Sequence, residues 1–365
     1  MAVSTGAAAG ALMTVGVPHP EILVAGGFTG SSKFKKKGVI TTIKGSASTD
    51  LEIFDPATGS FTAATAPLSI ARAGASATAL PSGKVLIAGG ADSTGTPTDT
   101  AEVFDPATGT TAATTNKMGS PRSFHSATLM DDGTVLIAGG ATDSSADPTA
   151  TADIYDPSAN AFTPTGSMTM PRAAHAAAYL EVLLVGQVLI TGGVTGSSGI
   201  VSTVASVEVY DPLSKVFSSV GTMTDARAFH TATVLGNGQV LLAGGFNGLG
   251  VNVMGLKLSF LFGLNLNSAE LFDPAHSSFT CINGSSSIGC NPAMGMGRGA
   301  HTATLFTSGP LMGQVLIAGG LGSKRPRGTA TELNEAELYN PTGNTFRRTG
   351  NMKQKRGLFN AFLLP

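Results

Sequence analysis

The chain has 365 residues, 12% of them charged, with a formal net charge of −1 and 42% hydrophobic residues. That balance excludes an overall electrostatic pull toward nucleic acid or an anionic membrane. No apolar run reaches the ~18 uninterrupted residues of a membrane-spanning helix, and 48 glycines with no tryptophan favour β-structure with tight turns.

In chain order, residues 1–20 open with an apolar stretch but no Lys or Arg before it, so they read as an N-terminal extension without a secretory signal, or as the remnant of a trimmed one. Glycine doublets then fall at Gly26-Gly27, Gly89-Gly90, Gly139-Gly140, Gly192-Gly193, Gly244-Gly245 and Gly319-Gly320. Each follows an apolar run such as VLIA, the pattern of a buried strand. A second strand follows each doublet, in LEIFDP, AEVFDP, ADIYDP, VEVYDP, AELFDP and AELYNP. Its Asp-Pro or Asn-Pro opens a short turn, with Gly59, Gly109 or Asn160 supplying the residue tolerant of positive φ. A third strand carries Phe61, Phe162, Phe217, Phe279 or Phe346 in five of the units. A fourth begins at Arg72, Arg122, Arg172, Arg227, Arg298 and Arg356. Four strands repeated six times bury both sheet faces only by stacking, and radial closure of such units makes a β-propeller. The first doublet strand has no arginine strand before it, so the C-terminal strand 356–364 is expected to complete the first unit and lock the ring.

The doublets, the AEVFDP strand and the R-x-x-H-x-A-T-x-L strand resemble kelch repeats, and more closely the bacterial kelch and galactose-oxidase-type propeller units. The resemblance runs from about residue 21 to 365 and implies one all-β domain, a six-bladed propeller of four-stranded antiparallel blades. Kelch units commonly carry a tryptophan; here phenylalanine on the third strand takes that packing place.

His125, His175, His230 and His301 share one repeat position, with Ala75 and Phe359 in the other two units. They are expected to be hydrogen-bonded core residues. The galactose oxidase family places a copper-binding histidine after a tyrosine in this setting, but Phe124, Ala174, Phe229 and Ala300 precede the histidines here. No catalytic residue, metal ligand set or cofactor is therefore assigned, and G-x-S-x-G, P-loop and H-E-x-x-H patterns are absent. The six arginines match six acids, Glu52, Glu102, Asp153, Glu208, Glu270 and Glu337, and bidentate buried pairs are expected; an arginine ring holding an anion is the alternative.

Cys281 and Cys290 are expected to form a local disulfide, worth about 3 kcal/mol in the chain-entropy model, which points to an oxidising, extracytoplasmic or secreted location. The spacing of the doublets stretches after the first and the fifth. The first insert holds Lys33, Lys35, Lys36 and Lys37; the second, 246–268, holds Met254, Leu256, Phe260 and Phe262; the sixth unit's equivalent loop holds Lys324, Arg325 and Arg327. These loops and the cysteine loop belong to one end of the blades. They form the candidate face for a protein or glycan partner, with no role for nucleic acid; the apolar stretch 251–266 either packs as a hairpin over the channel mouth or offers an apolar contact to a partner or lipid. The expected function is a non-catalytic binding module exported from a bacterial cell. The alternative is a kelch-related enzyme with a metal or carboxylate site at the channel mouth.

Overall fold

The computed structural model describes residues 5–6, 8–34, 41–181, 186–198, 200–248, 251–254, 257–260, 264–287, 289–324 and 330–357. Among them are six four-stranded antiparallel sheets, each a simple meander, and no helix. Sheet one comprises Ala9–Met13, Glu21–Ala25, Leu51–Asp55 and Ser60–Ala63. Sheets two to six repeat that order from inner strands Ser76–Ala79, Ser126–Leu129, Ala176–Leu180, Thr231–Val234 and Thr302–Leu305. They end on outer strands Thr110–Ala113, Ala161–Pro164, Val216–Thr222, Ser278–Cys281 and Thr345–Arg348.

The inner strands of successive sheets lie side by side. Alternation then divides each second strand between two junctions. Val85 and Ile87 face back onto Ala11, Leu23 and Leu51 of sheet one, while Leu86 and Ala88 face forward onto Val135 and Ile137 of sheet three. Both faces are dry, which is why VLIA reads as a continuous apolar run. Counted from the inner strand, the third strand's aromatics pack on the phenylalanines of the fourth, outer strand: Tyr155 on Phe162, Tyr210 on Phe217, Phe272 on Phe279 and Tyr339 on Phe346, with ring centroids 4.7–5.0 Å apart. The turn between them is held by the carboxylate or amide of its first residue. Asp105 accepts from the amide of Ala107 at 2.9 Å, and Asn340 from that of Thr342 at 3.0 Å.

A backbone girdle links the inner ends of the sheets. Phe124 donates its amide to Gly74, Ala174 to Phe124, Phe229 to Ala174 and Ala300 to Phe229, at 2.8–2.9 Å. All five residues sit at φ between 52° and 66°, the left-handed region, so each carbonyl can turn toward the next sheet.

The doublet glycines are needed for close approach as well as for φ. A Cβ on Gly89 (φ +62) would lie 2.4 Å from the carbonyl oxygen of Arg122, whereas one on Gly59 (φ +69) would meet nothing within 4 Å. Both Gly→Ala changes incur left-handed strain of about 1–2 kcal/mol. Gly89→Ala is expected to cost clearly more than Gly59→Ala in denaturant melts, because backbone must also move. Equal losses would mean that φ alone keeps the doublet.

Two expectations need correction at the chain ends. The inner place of sheet one is filled by Ala9–Met13, which pairs with Glu21–Ala25 in the register Ala9↔Ala25. The N-terminal extension therefore contains a core strand, with Ala9, Ala11 and Met13 buried. It escaped notice because this copy has lost its signature: by that register Thr5 stands where the others have arginine, and Ala8 where sheets three to six have histidine and sheet two has Ala75. The inner place expected for the strand after Arg356 is thus already filled, while Arg356 itself makes on sheet six the backbone bonds that Arg72 makes on sheet one and Arg122 on sheet two. Its carbonyl accepts from Gly320 at 2.8 Å and its amide donates to Leu333 at 2.9 Å. The remainder of the expected closing strand, 358–365, lies outside the described residues.

Candidate binding face

Five of the repeated arginines are almost wholly buried: Arg72, Arg122, Arg172, Arg227 and Arg298, at 0–1% exposure. Each reaches the acid on the third strand of its own sheet: Arg72–Glu102 at 3.2 Å, Arg122–Asp153 at 2.7 Å, Arg172–Glu208 at 2.6 Å, Arg227–Glu270 at 2.8 Å and Arg298–Glu337 at 2.8 Å. The expected bidentate fork is not what forms. In Arg172, Nη2 donates to Glu208 Oε1 while Nη1 donates to the carbonyls of Gly192 (2.8 Å) and Ser206 (3.0 Å). The second carboxylate oxygen accepts the amide of Thr169, in the connection from the preceding sheet, at 2.7 Å. One ion pair thus ties three strands and an inter-sheet connection, and every donor it consumes is unavailable to a ligand. Arg356 is the exception; it is exposed, and its guanidinium bonds Gln354 Oε1 at 3.5 Å.

The histidines are set between sheets. His125 Nε2 meets Ser76 Oγ at 2.8 Å, His175 Nε2 meets Ser126 Oγ at 2.9 Å, and His301 Nε2 meets Thr231 Oγ1 at 3.1 Å. In each case the hydroxyl lies on the inner strand of the preceding sheet. At His230 that place is Ala176, and the bond goes to Thr191 Oγ1 at 2.7 Å instead. Thr191 is the register partner of Ala176, so the hydroxyl has moved across the ladder to a position held by alanine in the other sheets. Burial, seconded by the neighbouring arginine, pushes His125, His175 and His301 down to about 3, and His230 also falls well below its ordinary value. These are neutral imidazoles committed to hydroxyls.

Among the described residues, one group has the spacing of a metal site: Glu270, Cys281 and Cys290. Its two sulfurs are joined in a disulfide, and Glu270 is occupied by Arg227 and by the amides of Thr224 and Asp225. The donor set is spent on structure. Sheet five also carries an extra buried acid, Asp225, which accepts from Ser268 Oγ at 2.5 Å and lies 3.5 Å from Arg227.

What distinguishes the two ends of the sheets is their connections. In sheets two, three and five the first-to-second connections are terse turns, such as Leu80–Lys84, closed by a 2.8 Å backbone bond; those of sheets one (14–20) and six (306–314) are longer but form no hairpin of their own. The other end carries hairpins: Phe28–Phe34 with Thr41–Ala47 from sheet one, Val194–Ser197 with Ile200–Thr203 from sheet four, and Val251–Met254 with Lys257–Phe260 from sheet five. Beneath them lies an apolar cluster drawn from the first five sheets, including Phe28, Ala73, Ala141, Val194, Val201 and Ala228, with Phe124 and Phe229 packed against it.

Sequence reasoning placed the sheet-one, sheet-five and sheet-six loops at one end of the blades. The structure sets the backbone of Lys257–Phe260 beside Thr41–Ala47, and Ile200–Thr203 beside Val251–Met254. Thr203 and Gly248 bond reciprocally at that second contact, at 3.1 and 3.2 Å. The hairpin from sheet four went unanticipated because its insertion is only a few residues long. Of the proposed face residues, Lys35, Lys36, Lys37, Leu256, Phe262, Arg325 and Arg327 lie outside the described residues. Lys33, Met254 and Phe260 fall on described hairpin strands, and Lys324 is exposed at the end of Leu321–Ser323.

The family comparison agrees with this architecture. A model of the KLHDC2/KLHL20/DRC7 Kelch-repeats domain matches residues 21–245, more than half of the chain. No curated protein sequence matches the chain. With repeated antiparallel four-stranded sheets joined through glycine doublets, and the family model over most of them, the chain belongs to the kelch-repeat family of β-propeller proteins.

Proposed function

We propose that this chain is a non-catalytic binding module that holds a protein partner on its hairpin-bearing end. Kelch-repeat domains generally mediate protein–protein interaction. The observation that carries the reading here is the asymmetry of the two ends: among the described residues, every connection that forms a hairpin of its own between the second and third strands emerges at one end, where the hairpins of sheets one, four and five stand in a row. Five of the six repeated arginines and the four repeated histidines are buried and engaged in internal bonds, which leaves variation in this chain to its connections. We read the six sheets as blades of one ring; five successive junctions support this through their shared inner-strand contacts and clusters. The Cys281–Cys290 disulfide supports an extracytoplasmic location.

The test is cross-linking with a lysine-reactive reagent in an extract of the source cells, followed by mass spectrometry. Links from a single protein partner are expected at Lys33, Lys44, Lys257 and Lys324. Lys84 and Lys215, in turns at the opposite end, are expected to remain unlinked. Links confined to Lys84 and Lys215 would reverse the assignment of the face.

A further inference from the structure

We propose that the outer strand of sheet six and the connection after it, residues 345–357, form a docking track for an acidic segment of a partner protein. This rests on the binding-module reading above. Arg347 and Arg348 lie on the strand Thr345–Arg348, and Lys353, Lys355 and Arg356 follow in the connection; all five are exposed. Among the described residues none of them lies within ion-pair distance of a carboxylate. Residues 345–365 contain no Asp or Glu at all.

The repeat supplies its own controls. The outer strands of the other sheets, SFTA, TTAA, AFTP, VFSSVGT and SFTC, carry no charge. If charge were needed to blunt an outer edge against self-association, it would be needed on all six. The corresponding connections of sheets one to five contain one basic residue before the arginine position, Lys117, which pairs with Asp99 at 3.1 Å. Arg356 shows the change most directly. Its five counterparts are buried with a carboxylate, whereas Arg356 keeps only the backbone half of that arrangement, the bond from Gly320, and leaves its side chain in solvent.

The geometry suits an extended anionic chain. Phe346 packs on Tyr339 at 5.0 Å, so alternation places Arg347 on the opposite side of the strand and Arg348 on the same side. Charge therefore flanks the strand and continues inward along the connection toward the ring of inner strands. Guanidinium forks pair with carboxylates in two-bond geometry, and a patch of one sign in a chain of net charge −1 steers an acidic partner to this edge. The aromatic ring of the track is committed to Tyr339, which leaves no platform for stacked bases.

The probe is a fluorescein-labelled ten-residue glutamate peptide, followed by anisotropy across a salt series. Wild-type protein is expected to bind it at low salt, with affinity falling steeply as salt screens the contact. Replacing Arg347, Arg348, Lys353 and Lys355 together by serine is expected to weaken binding at least tenfold at unchanged melting temperature. Lys84→Ser with Lys215→Ser, at the opposite end, should bind like wild type. The proposal is overturned if the fourfold variant binds as well as wild type, or if wild type does not bind the peptide. It is also overturned if a sulfated oligosaccharide or single-stranded DNA of equal charge binds tenfold more tightly. Peptide binding that survives when no cross-links appear at Lys33, Lys44, Lys257 and Lys324 would sink the wider face and leave the track standing.

Discussion

Glu208→Ala is expected to destabilise the protein by about 3–5 kcal/mol, because it strands a guanidinium that has 0% exposure and no other anion at hand. Three losses coincide at that site: the 2.6 Å contact to Arg172, the carboxylate acceptor for the amide of Thr169 at 2.7 Å, and the neutralisation of a buried charge. The double variant Arg172→Met/Glu208→Leu removes both charges. It should recover much of the single-variant loss, although Gly192 and Ser206 then lose a donor to their carbonyls. Lys117→Ala, which breaks the exposed pair with Asp99, supplies the contrast, with an expected change of about 0–1 kcal/mol. Urea melts of the four proteins decide the matter. If Glu208→Ala and Lys117→Ala shift the midpoint equally, the buried pairs do not carry the junctions.

The strand order was legible because the units announce it: an apolar run closed by a glycine doublet, an acid–aromatic strand ending in Asp-Pro or Asn-Pro, in five units a phenylalanine, and an arginine. That the repeated arginines and acids form buried pairs was legible too, and holds for five of the six arginines, since a chain so poor in charge has few other reasons to space them evenly. Its geometry was not. Sequence cannot show that one arm of the guanidinium serves glycine carbonyls or that half of the carboxylate serves a backbone amide. The inner strand of sheet one was missed for a physical reason. Ala9, Ala11 and Met13 fill the volume that packing against sheet two demands, while Thr5 and Ala8 have given up the polar roles by which the strand is recognised elsewhere. The exchange between Ala176 and Thr191 could have been read in advance. The fourth unit has alanine where the second, third and fifth have Ser76, Ser126 and Thr231, and threonine where they have alanine. The basic run 347–356 was in plain view, but attention to the longest loops passed over a connection of ordinary length.

Acid should unfold this protein early and steeply, and the four buried histidines set the window. In the unfolded chain an imidazole takes up its proton near pH 6.5. In the folded protein His125, His175 and His301 hold theirs off until about 3, and His230 is displaced in the same direction. Above the unfolded value both states are neutral and the folded state keeps its full stability. Below it the unfolded chain binds protons that the folded chain refuses, so stability falls as pH drops from about 6.5 toward 3. Each histidine contributes about 1.4 kcal/mol per pH unit, and four acting together contribute about 5. Two pH units therefore remove about as much free energy as a typical domain possesses. The melting temperature is expected to be flat between pH 7 and 8 and to fall sharply between pH 6 and 5. His175→Gln can keep a hydrogen bond to Ser126 Oγ while removing the titrating group. It should lower stability modestly at pH 7.5, yet make the acid limb of the profile shallower by about a quarter. A profile that stays level to pH 5, or a glutamine variant with an unchanged slope, would show that these imidazoles accept protons without leaving the fold. Their place between the sheets would then be open to solvent in a way that the hydroxyl contacts do not allow.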